Sequence, residues 1–228
     1  MEAEIERRSR MHAALGEPMR LGIVDHLSVG DASPGELAAA FGVTTNLLAH
    51  HLGVLEEAGL IRRVRSEGDR RRTYAQLCLD DSLVRSLADC PAGLQVPRVV
   101  FVCTHNTARS QLATAAWQRL SEVPTTSAGT HPAAGIHPRT VAIGSRHGLR
   151  LVQARTAHAA EVLRPDDLVV TVCDNAHEEL DAALHWAVSD PVRIDTDAAF
   201  ERAFQEIVER VERLARVTTS TAVQHQPQ

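Results

Sequence analysis

The sequence contains no lysine, only four cysteines, and few aromatic residues, which make up 3% of its 228 residues. All 24 basic side chains are arginines, which we attribute to the nucleotide composition of the coding genome rather than to chemistry. No apolar run approaches the length of a membrane span, and residues 1–10 are too polar for a signal peptide. Four unevenly spaced cysteines do not suggest a disulfide framework, so we expect reduced thiols, a cytoplasmic location and no membrane partner.

The remaining composition suits a folded chain of two modest domains. With 44% hydrophobic and 23% charged residues, the chain can bury a core. The net charge is −5, so a contact with nucleic acid requires a local basic patch. A Pro/Gly-rich stretch at 91–97 separates the halves, which predicts domains at residues 1–94 and 95–216 and a disordered tail at 217–228.

The first half predicts a helix-turn-helix followed by a basic hairpin. Ser33 and Glu36 match the reciprocal caps of a helix start, and Thr44 is expected to cap a second helix that ends at Gly59. Residues 60–65 and 70–77 alternate like strands around a turn at 66–69. The basic residues of this hairpin are Arg62, Arg63, Arg65, Arg70, Arg71 and Arg72. Directly after a helix-turn-helix, such a hairpin is expected to contact the DNA backbone as a wing.

Residues 12–21 and 49–60 closely resemble the ArsR family of winged-helix repressors. This resemblance implies a homodimer paired through helices near residues 5–15 and 81–89, which binds a palindromic operator in double-stranded DNA. It also implies that the helix at 44–58 is the recognition helix. Its candidate DNA-contacting residues are Thr45, Asn46, Ala49 and His50.

The ligand site of this repressor half is undetermined. Family members bind arsenite or antimonite through cysteines, or zinc through His/Asp sets, but residues 27–40 contain no cysteine and residues 81–89 contain no histidine. Cys78 and Cys90 therefore remain as the candidate thiols for arsenite, and the metal ligands are unknown.

The second half contains an apolar β-branched run that stops at Cys103, with Arg109 and Ser110 before a helical segment. A Cys-x5-Arg spacing alone is close to chance here, but a strand, a tight loop and a helix start together predict an oxyanion site. Arg109 offers a planar two-pronged grip, and the same field and the Ser110 hydroxyl favour a Cys103 thiolate. The candidate oxyanion-binding residues are Thr104, His105, Asn106, Thr107, Ala108 and Arg109.

Strand-like and helix-like segments alternate through the rest of this half. We expect strands at 98–102, 125–128, 168–172 and 185–188, and helices at 110–120, 138–147, 176–183 and 197–216. This order predicts the α/β class, with a four-stranded parallel sheet covered by helices on both faces. In such folds ligands bind beyond the carboxyl ends of the strands, where Cys103 is expected.

The run from Cys103 to Gln111, together with residues 127–132 and 185–191, resembles arsenate reductases built on the low-molecular-weight protein tyrosine phosphatase fold. The resemblance implies that Cys103 attacks arsenate, that Asp190 is the general acid, and that no cofactor stays bound. Cys173 matches the second thiol of a three-cysteine relay, but Leu180 occupies the usual place of the third. Regeneration then requires an external reductant: either a small thiol (mycothiol with mycoredoxin, or glutathione with glutaredoxin), or a redoxin such as thioredoxin acting on a Cys103–Cys173 disulfide.

The leading hypothesis is an arsenic-responsive repressor fused to a thiol-dependent arsenate reductase with possible phosphatase side activity. One alternative is a tyrosine phosphatase domain on a repressor. The scarcity of aromatic residues and the presence of Val192 after Asp190-Pro191 disfavour it, because a phosphotyrosine ring needs aromatic walls. A second alternative is a repressor whose second half binds an oxyanion without catalysis.

Overall fold

The computed structural model describes residues 1–88, 93–151 and 155–221. The chain divides into two compact units, Met1–Cys90 and Pro91–Gln228. The boundary predicted from composition lies between residues 94 and 95, inside the first strand of the second unit. Within the described ranges, none of the helices has the length and apolarity required to cross a bilayer.

The first unit is a helix-turn-helix domain with a hairpin. Its elements are α1 Glu2–Leu15, α2 Pro18–Leu27, α3 Pro34–Phe41, α4 Thr45–Glu57, β1 Ile61–Arg65, β2 Thr73–Leu77 and α5 Ser82–Leu87. Ser33 and Glu36 form both halves of the expected capping box, and Gly42 adopts a left-handed φ of 64° at the turn between α3 and α4. The fully buried side chains of Leu37, Leu48 and Leu55 fix α3 and α4 against the common core.

The hairpin pairs β1 with β2 in antiparallel register, with Ile61 opposite Leu77 and Arg65 opposite Thr73. β2 begins later than the sequence predicted. The Ser66 amide donates to the Arg72 carbonyl, and the Arg72 amide donates to the Asp69 carbonyl, so the chain is still in the turn there. The three arginines at 70–72 therefore lie at the hairpin tip instead of on a strand.

The second unit is a four-stranded parallel sheet. Its elements are β3 Leu94–Val96, β4 Val99–Cys103, α6 Arg109–Leu120, β5 Thr125–Gly129, α7 Pro138–Arg146, α8 Ala159–Val162, β6 Leu168–Thr171, α9 Asp174–Glu179, β7 Leu184–His185, α10 Pro191–Ile194, α11 Asp197–Val217 and β8 Thr218–Ser220. The order in the sheet is β5-β4-β6-β7, with every pair parallel. The α/β class, the four strands and their parallel order are as the sequence predicted.

Several short elements differ from the sequence prediction. A disordered tail from residue 217 is wrong for 217–221, because α11 includes Val217 and β8 pairs in parallel with β3; residues 222–228 lie outside the described residues. β7 is shorter than the predicted strand, α9 begins earlier than the predicted helix, and α8 and α10 were not predicted. Elements of two to four residues are too short to show a periodic pattern.

A buried ion pair joins the amino ends of β4 and β6. Arg98 Nε donates to Asp167 Oδ1 at 2.7 Å, and its Nη2 donates to the Val162 carbonyl at 2.8 Å. Only 1% of the Asp167 side chain is exposed. This pair lies at the edge of the sheet opposite to Cys103, which ends β4.

Candidate functional site

Cys103 lies at the carboxyl end of β4, buried at the base of the loop that leads into α6. The Asn106 amide donates to its Sγ at 3.3 Å, and Ser110 Oγ lies 3.1 Å from the same sulfur. The side-chain amide of Asn106 donates to Ser110 Oγ at 2.8 Å, which leaves the hydroxyl hydrogen to point at sulfur. A negative charge on Cys103 is thus met by two donors beside the positive end of α6.

Asn106 holds the loop in shape. It has a φ of 55°, a left-handed conformation that asparagine tolerates better than most residues. Its Oδ1 accepts the Ala157 amide at 3.0 Å, and its carbonyl accepts Gln111 Nε2 at 3.1 Å. Because its backbone and both polar ends of its side chain are engaged, the residue is fixed on three sides.

Gly129, at the end of β5, allows the loop to approach the neighbouring strand. A Cβ atom there would lie 2.7 Å from the Thr104 carbonyl oxygen and 3.0 Å from Asn106 Cβ. Gly129 lies in the segment 127–132 that contributes to the family resemblance, but the sequence predicts no role for it. No pattern in the sequence marks this glycine, because the contact arises only when β4 and β5 pair.

Arg109 begins α6 and is 6% exposed. Its Nη1 donates to the Val188 carbonyl at 2.9 Å, and its Nη2 lies 3.2 Å from Asp190 Oδ2. Asp190 also caps α10 by accepting the Val192 amide at 3.1 Å. The predicted anion-gripping arginine and the predicted general acid are therefore in contact, at the same edge of the sheet as Cys103.

Cys173 follows β6 and lies close to this loop. Its Sγ is 3.4 Å from Thr104 Oγ1, and the thiol is buried with 2% exposed. Burial raises the pKa of the Cys173 thiol, although the nearby Arg109 guanidinium opposes the shift. A neutral Cys173 thiol is a weaker nucleophile than a thiolate.

The other loop residues have separate contacts. Thr104 turns its side chain towards Cys173, while His105 is exposed at the rim and its carbonyl accepts the Ala133 amide. The Thr107 carbonyl accepts both the His137 amide and the Thr140 hydroxyl. Ala108 is buried at the start of α6. The five residues from 104 to 108 thus form one loop between β4 and α6, and hydrogen bonds from residues 133, 137 and 140 hold it in place.

The predicted DNA-contacting residues of the first unit are all exposed. They are Thr45, Asn46, Ala49, His50, Arg62, Arg63, Arg65, Arg70, Arg71 and Arg72. Three of the arginines have acidic partners, among them Arg63 with Glu56 at 3.2 Å and Arg71 with Asp69 at 2.9 Å. Arg62 contacts Asp80 at 3.3 Å.

Of the two candidate arsenite thiols, only Cys78 lies in the part of the chain that the structure describes. Cys78 is half-buried, and burial raises the pKa of its thiol; Cys90 lies outside the described residues. Over 1–88, 93–151 and 155–221, no three His, Cys, Asp or Glu side chains are grouped to hold a metal ion.

A helix-turn-helix unit is followed by a parallel α/β unit in which a loop joins Cys103 to Arg109, and together they define a helix-turn-helix domain fused to a phosphatase-type domain. Residues 98–227, more than half of the chain, match the family described as low molecular weight phosphotyrosine protein phosphatase, and the chain belongs to that family. Residues 15–64 match a helix-turn-helix domain of ArsR type. Both resemblances seen in the sequence are confirmed.

Solved structures are similar to one half or the other. An arsenate reductase from Archaeoglobus fulgidus is 31% identical over 52% of this chain and 98% of its own, with a TM-score of 0.46. The tyrosine phosphatase Wzb from Escherichia coli K30, in complex with sulphate, is 20% identical over 53% and 97%, with a TM-score of 0.47. HlyU from Vibrio cholerae is 22% identical over 39% and 90%, with a TM-score of 0.35. Among curated proteins, no sequence matches the chain.

Proposed function

We propose that this chain is an arsenic-responsive transcriptional repressor fused to an arsenate reductase. Its second unit takes arsenate, a small tetrahedral oxyanion, rather than a phosphotyrosine. The observation that carries this choice is the position of the aromatic side chains. All the Phe and Trp residues of the second unit are buried, and this unit contains no tyrosine. They are Phe101, Trp117, Trp186, Phe200 and Phe204.

Among the described residues of the second unit, no exposed Phe, Tyr or Trp side chain is therefore present to pack against a phosphotyrosine ring. The exposed rim residue His105 is polar, and Val192 follows the Asp190-Pro191 pair. A bare oxyanion needs only the loop, Arg109 and a proton donor. The rim thus favours arsenate, with phosphate as a binding competitor of the same shape.

The chemistry follows from the residues that meet at the loop. The Cys103 thiolate attacks arsenic, an S–As bond forms, and an As–O bond breaks as Asp190 donates a proton to the departing oxygen, which leaves as water. Arg109 and the loop amides hold the remaining oxygens. Ser110 supports the thiolate before attack.

The reductive step needs an outside thiol. A small thiolate attacks Cys103 sulfur in the adduct, an S–S bond forms, and the S–As electron pair stays on arsenic, which leaves as arsenite. A second thiol then reduces the mixed disulfide on Cys103. Two features favour this route over an obligatory relay: burial raises the pKa of Cys173, and Leu180 stands where the third thiol would be.

The test compares three reductant systems with the full chain: mycothiol with mycoredoxin, glutathione with glutaredoxin, and thioredoxin. We expect arsenate-dependent NADPH oxidation with a small-thiol system, and none in the matched Cys103→Ser chain. Cys173→Ser should keep its turnover with that system; a loss would favour the Cys173 relay. Hydrolysis of an aryl phosphate without arsenate reduction would identify a phosphatase instead, and neither activity would identify an oxyanion sensor.

The repressor part has its own assay. We expect the dimeric chain to shift a DNA fragment from its own promoter, and arsenite to release that fragment. A chain that binds the promoter equally with and without arsenite would contradict arsenic-responsive control.

A further inference from the structure

A second buried polar pair lies at the carboxyl end of β6, next to the proposed oxyanion site. His185 Nε2 is 3.0 Å from Asp174 Oδ1, and only 1% and 4% of the two side chains are exposed. Asp174 directly follows Cys173, and His185 ends β7. The pair therefore joins the turn after β6 to the end of the neighbouring strand.

Thr171 extends this pair into a network. His185 Nδ1 lies 3.2 Å from Thr171 Oγ1, and that hydroxyl donates to the Leu184 carbonyl at 3.2 Å. The His177 ring stacks on His185 with 4.1 Å between centroids and 7° between planes. His185 is thus held through both ring nitrogens and one face.

Stability alone does not require such a group. A buried carboxylate and imidazole are costly to desolvate, and apolar side chains of similar volume commonly give equal or greater stability. What a satisfied buried network provides is one fixed geometry.

A series of backbone hydrogen bonds connects this network to Arg109. The Trp186 amide donates to the Thr171 carbonyl at 2.7 Å, and the Val188 amide donates to the Trp186 carbonyl at 2.8 Å. The Val188 carbonyl then accepts Arg109 Nη1 at 2.9 Å. His185 is therefore three residues before the carbonyl that orients the guanidinium, on the segment that continues to Asp190.

We propose that Asp174 and His185 are positioning residues for the oxyanion site. Their pair fixes residues 186–190, so that the Val188 carbonyl holds Arg109 in the orientation that grips a tetrahedral anion. The identity of that anion as arsenate rests on the proposed function, whereas the positioning role applies to inorganic phosphate as well.

The matched control is the Arg98–Asp167 pair, which is also buried and lies at the opposite end of the same strand β6. The variants His185→Gln, Thr171→Val and Asp167→Asn are made in the full chain. Thr171→Val replaces the hydroxyl with a methyl group of similar size, so it breaks the network without opening a cavity. Binding of inorganic phosphate is measured by titration calorimetry, and melting by tryptophan fluorescence.

We expect His185→Gln and Thr171→Val to weaken phosphate binding about tenfold, the scale of a lost buried hydrogen bond. Asp167→Asn should lower the melting temperature but change phosphate binding less than about twofold. Asp167 lies at the opposite end of the sheet from the oxyanion loop, and substitutions at well-separated sites usually act independently. Thr171→Ser, which retains the hydroxyl, should bind phosphate like the parent.

The proposal is overturned if Asp167→Asn weakens phosphate binding as much as His185→Gln, or if Thr171→Val binds phosphate like the parent chain. Because phosphate binding needs no turnover, a parent chain that binds phosphate but reduces no arsenate would reject the proposed activity alone.

Discussion

At the scale of single residues, the oxyanion loop depends both on side chains that the sequence predicts and on a glycine and a backbone carbonyl that it does not. The loop chemistry predicts Cys103 and Arg109, and the family resemblance implies Asp190; the structure brings Arg109 and Asp190 into contact. Gly129 and the Val188 carbonyl were not predicted to act at the site. A strand-to-strand approach and a backbone carbonyl leave no mark in composition or periodicity, because they arise only when distant segments pack.

The Gly129→Ala variant tests the close approach of the loop to β5. Its new methyl group would lie 2.7 Å from the Thr104 carbonyl oxygen, so the loop must shift. We expect the free energy of unfolding to fall by about 1–3 kcal/mol, as for other overpacked sites, and phosphate binding to weaken. Chemical denaturation and titration calorimetry measure the two effects.

The control for that variant is Gly135→Ala, because a Cβ at Gly135 meets no atom within 4 Å. Equal phosphate affinity in the Gly129→Ala and Gly135→Ala chains would show that the approach of the loop to β5 is not needed for binding.

Because Cys173 is buried, we expect the free energy of unfolding to fall at alkaline pH. Burial raises the pKa of its thiol in the folded state, so its contribution is fully present below the ordinary thiol pKa and is lost as pH rises through the folded value. Above a pH of about 8.5, the free energy of unfolding should therefore fall with pH more steeply in the parent than in Cys173→Ala. The difference between the two slopes should be at most about 1.4 kcal/mol per pH unit.

Tryptophan fluorescence is the appropriate probe for this effect, since both tryptophans, Trp117 and Trp186, lie in the second unit. The control is Cys78→Ala, which removes a half-buried thiol from the first unit. The same alkaline slope in the parent and in Cys173→Ala would contradict the role of Cys173.

At the scale of elements, the sequence predicted most accurately those helices whose ends carry chemical caps. The capping box at α3 and the Thr44 cap of α4 are local hydrogen bonds, which a few neighbouring residues determine. The strands β3 and β8 could not be predicted in this way, because each has only three residues and they pair only when the two ends of the unit meet. The start of β2 was misplaced since the turn at 66–72 is closed by backbone hydrogen bonds.

The exposed arginines of the hairpin β1–β2 predict how DNA binding depends on salt concentration. Arg65 and Arg70 are exposed, and in the described part of the chain their guanidinium groups have no ion-pair partner, unlike Arg63 and Arg71. If each neutralises one phosphate, Arg65→Gln and Arg70→Gln should each lower the slope of log K against log salt by about one.

Filter binding or anisotropy across a series of salt concentrations measures that slope. The matched control is Arg150→Gln, an exposed arginine of the second unit. An unchanged slope in both wing variants would place the DNA contacts elsewhere on the first unit.

At the scale of the whole molecule, two cores on one chain predict two separable responses to a ligand. The first unit has its own apolar cluster, and the oxyanion loop belongs to the second. Inorganic phosphate at about one hundred times its dissociation constant should stabilise the second unit by about 2.7 kcal/mol. The melting transition followed by tryptophan fluorescence should then rise.

Circular dichroism of the same sample follows the helices of both units. A transition seen by circular dichroism but not by tryptophan fluorescence therefore belongs to the first unit. Its melting transition should stay in place when phosphate is added. An equal rise of both transitions would mean that the two units unfold as one. The Cys103→Ser variant keeps the loop amides, so its transitions should respond to phosphate as those of the parent do.

The parallel pairing of β3 with β8 has a consequence for how such a unit can be moved between proteins. Because neighbouring strands lie about 5 Å apart, the chain enters and leaves this unit at nearly the same point. A domain with adjoining ends can be grafted into an exposed loop of a host without stretching it. The second unit is therefore suited to insertion into a loop of another protein as well as to end-to-end fusion.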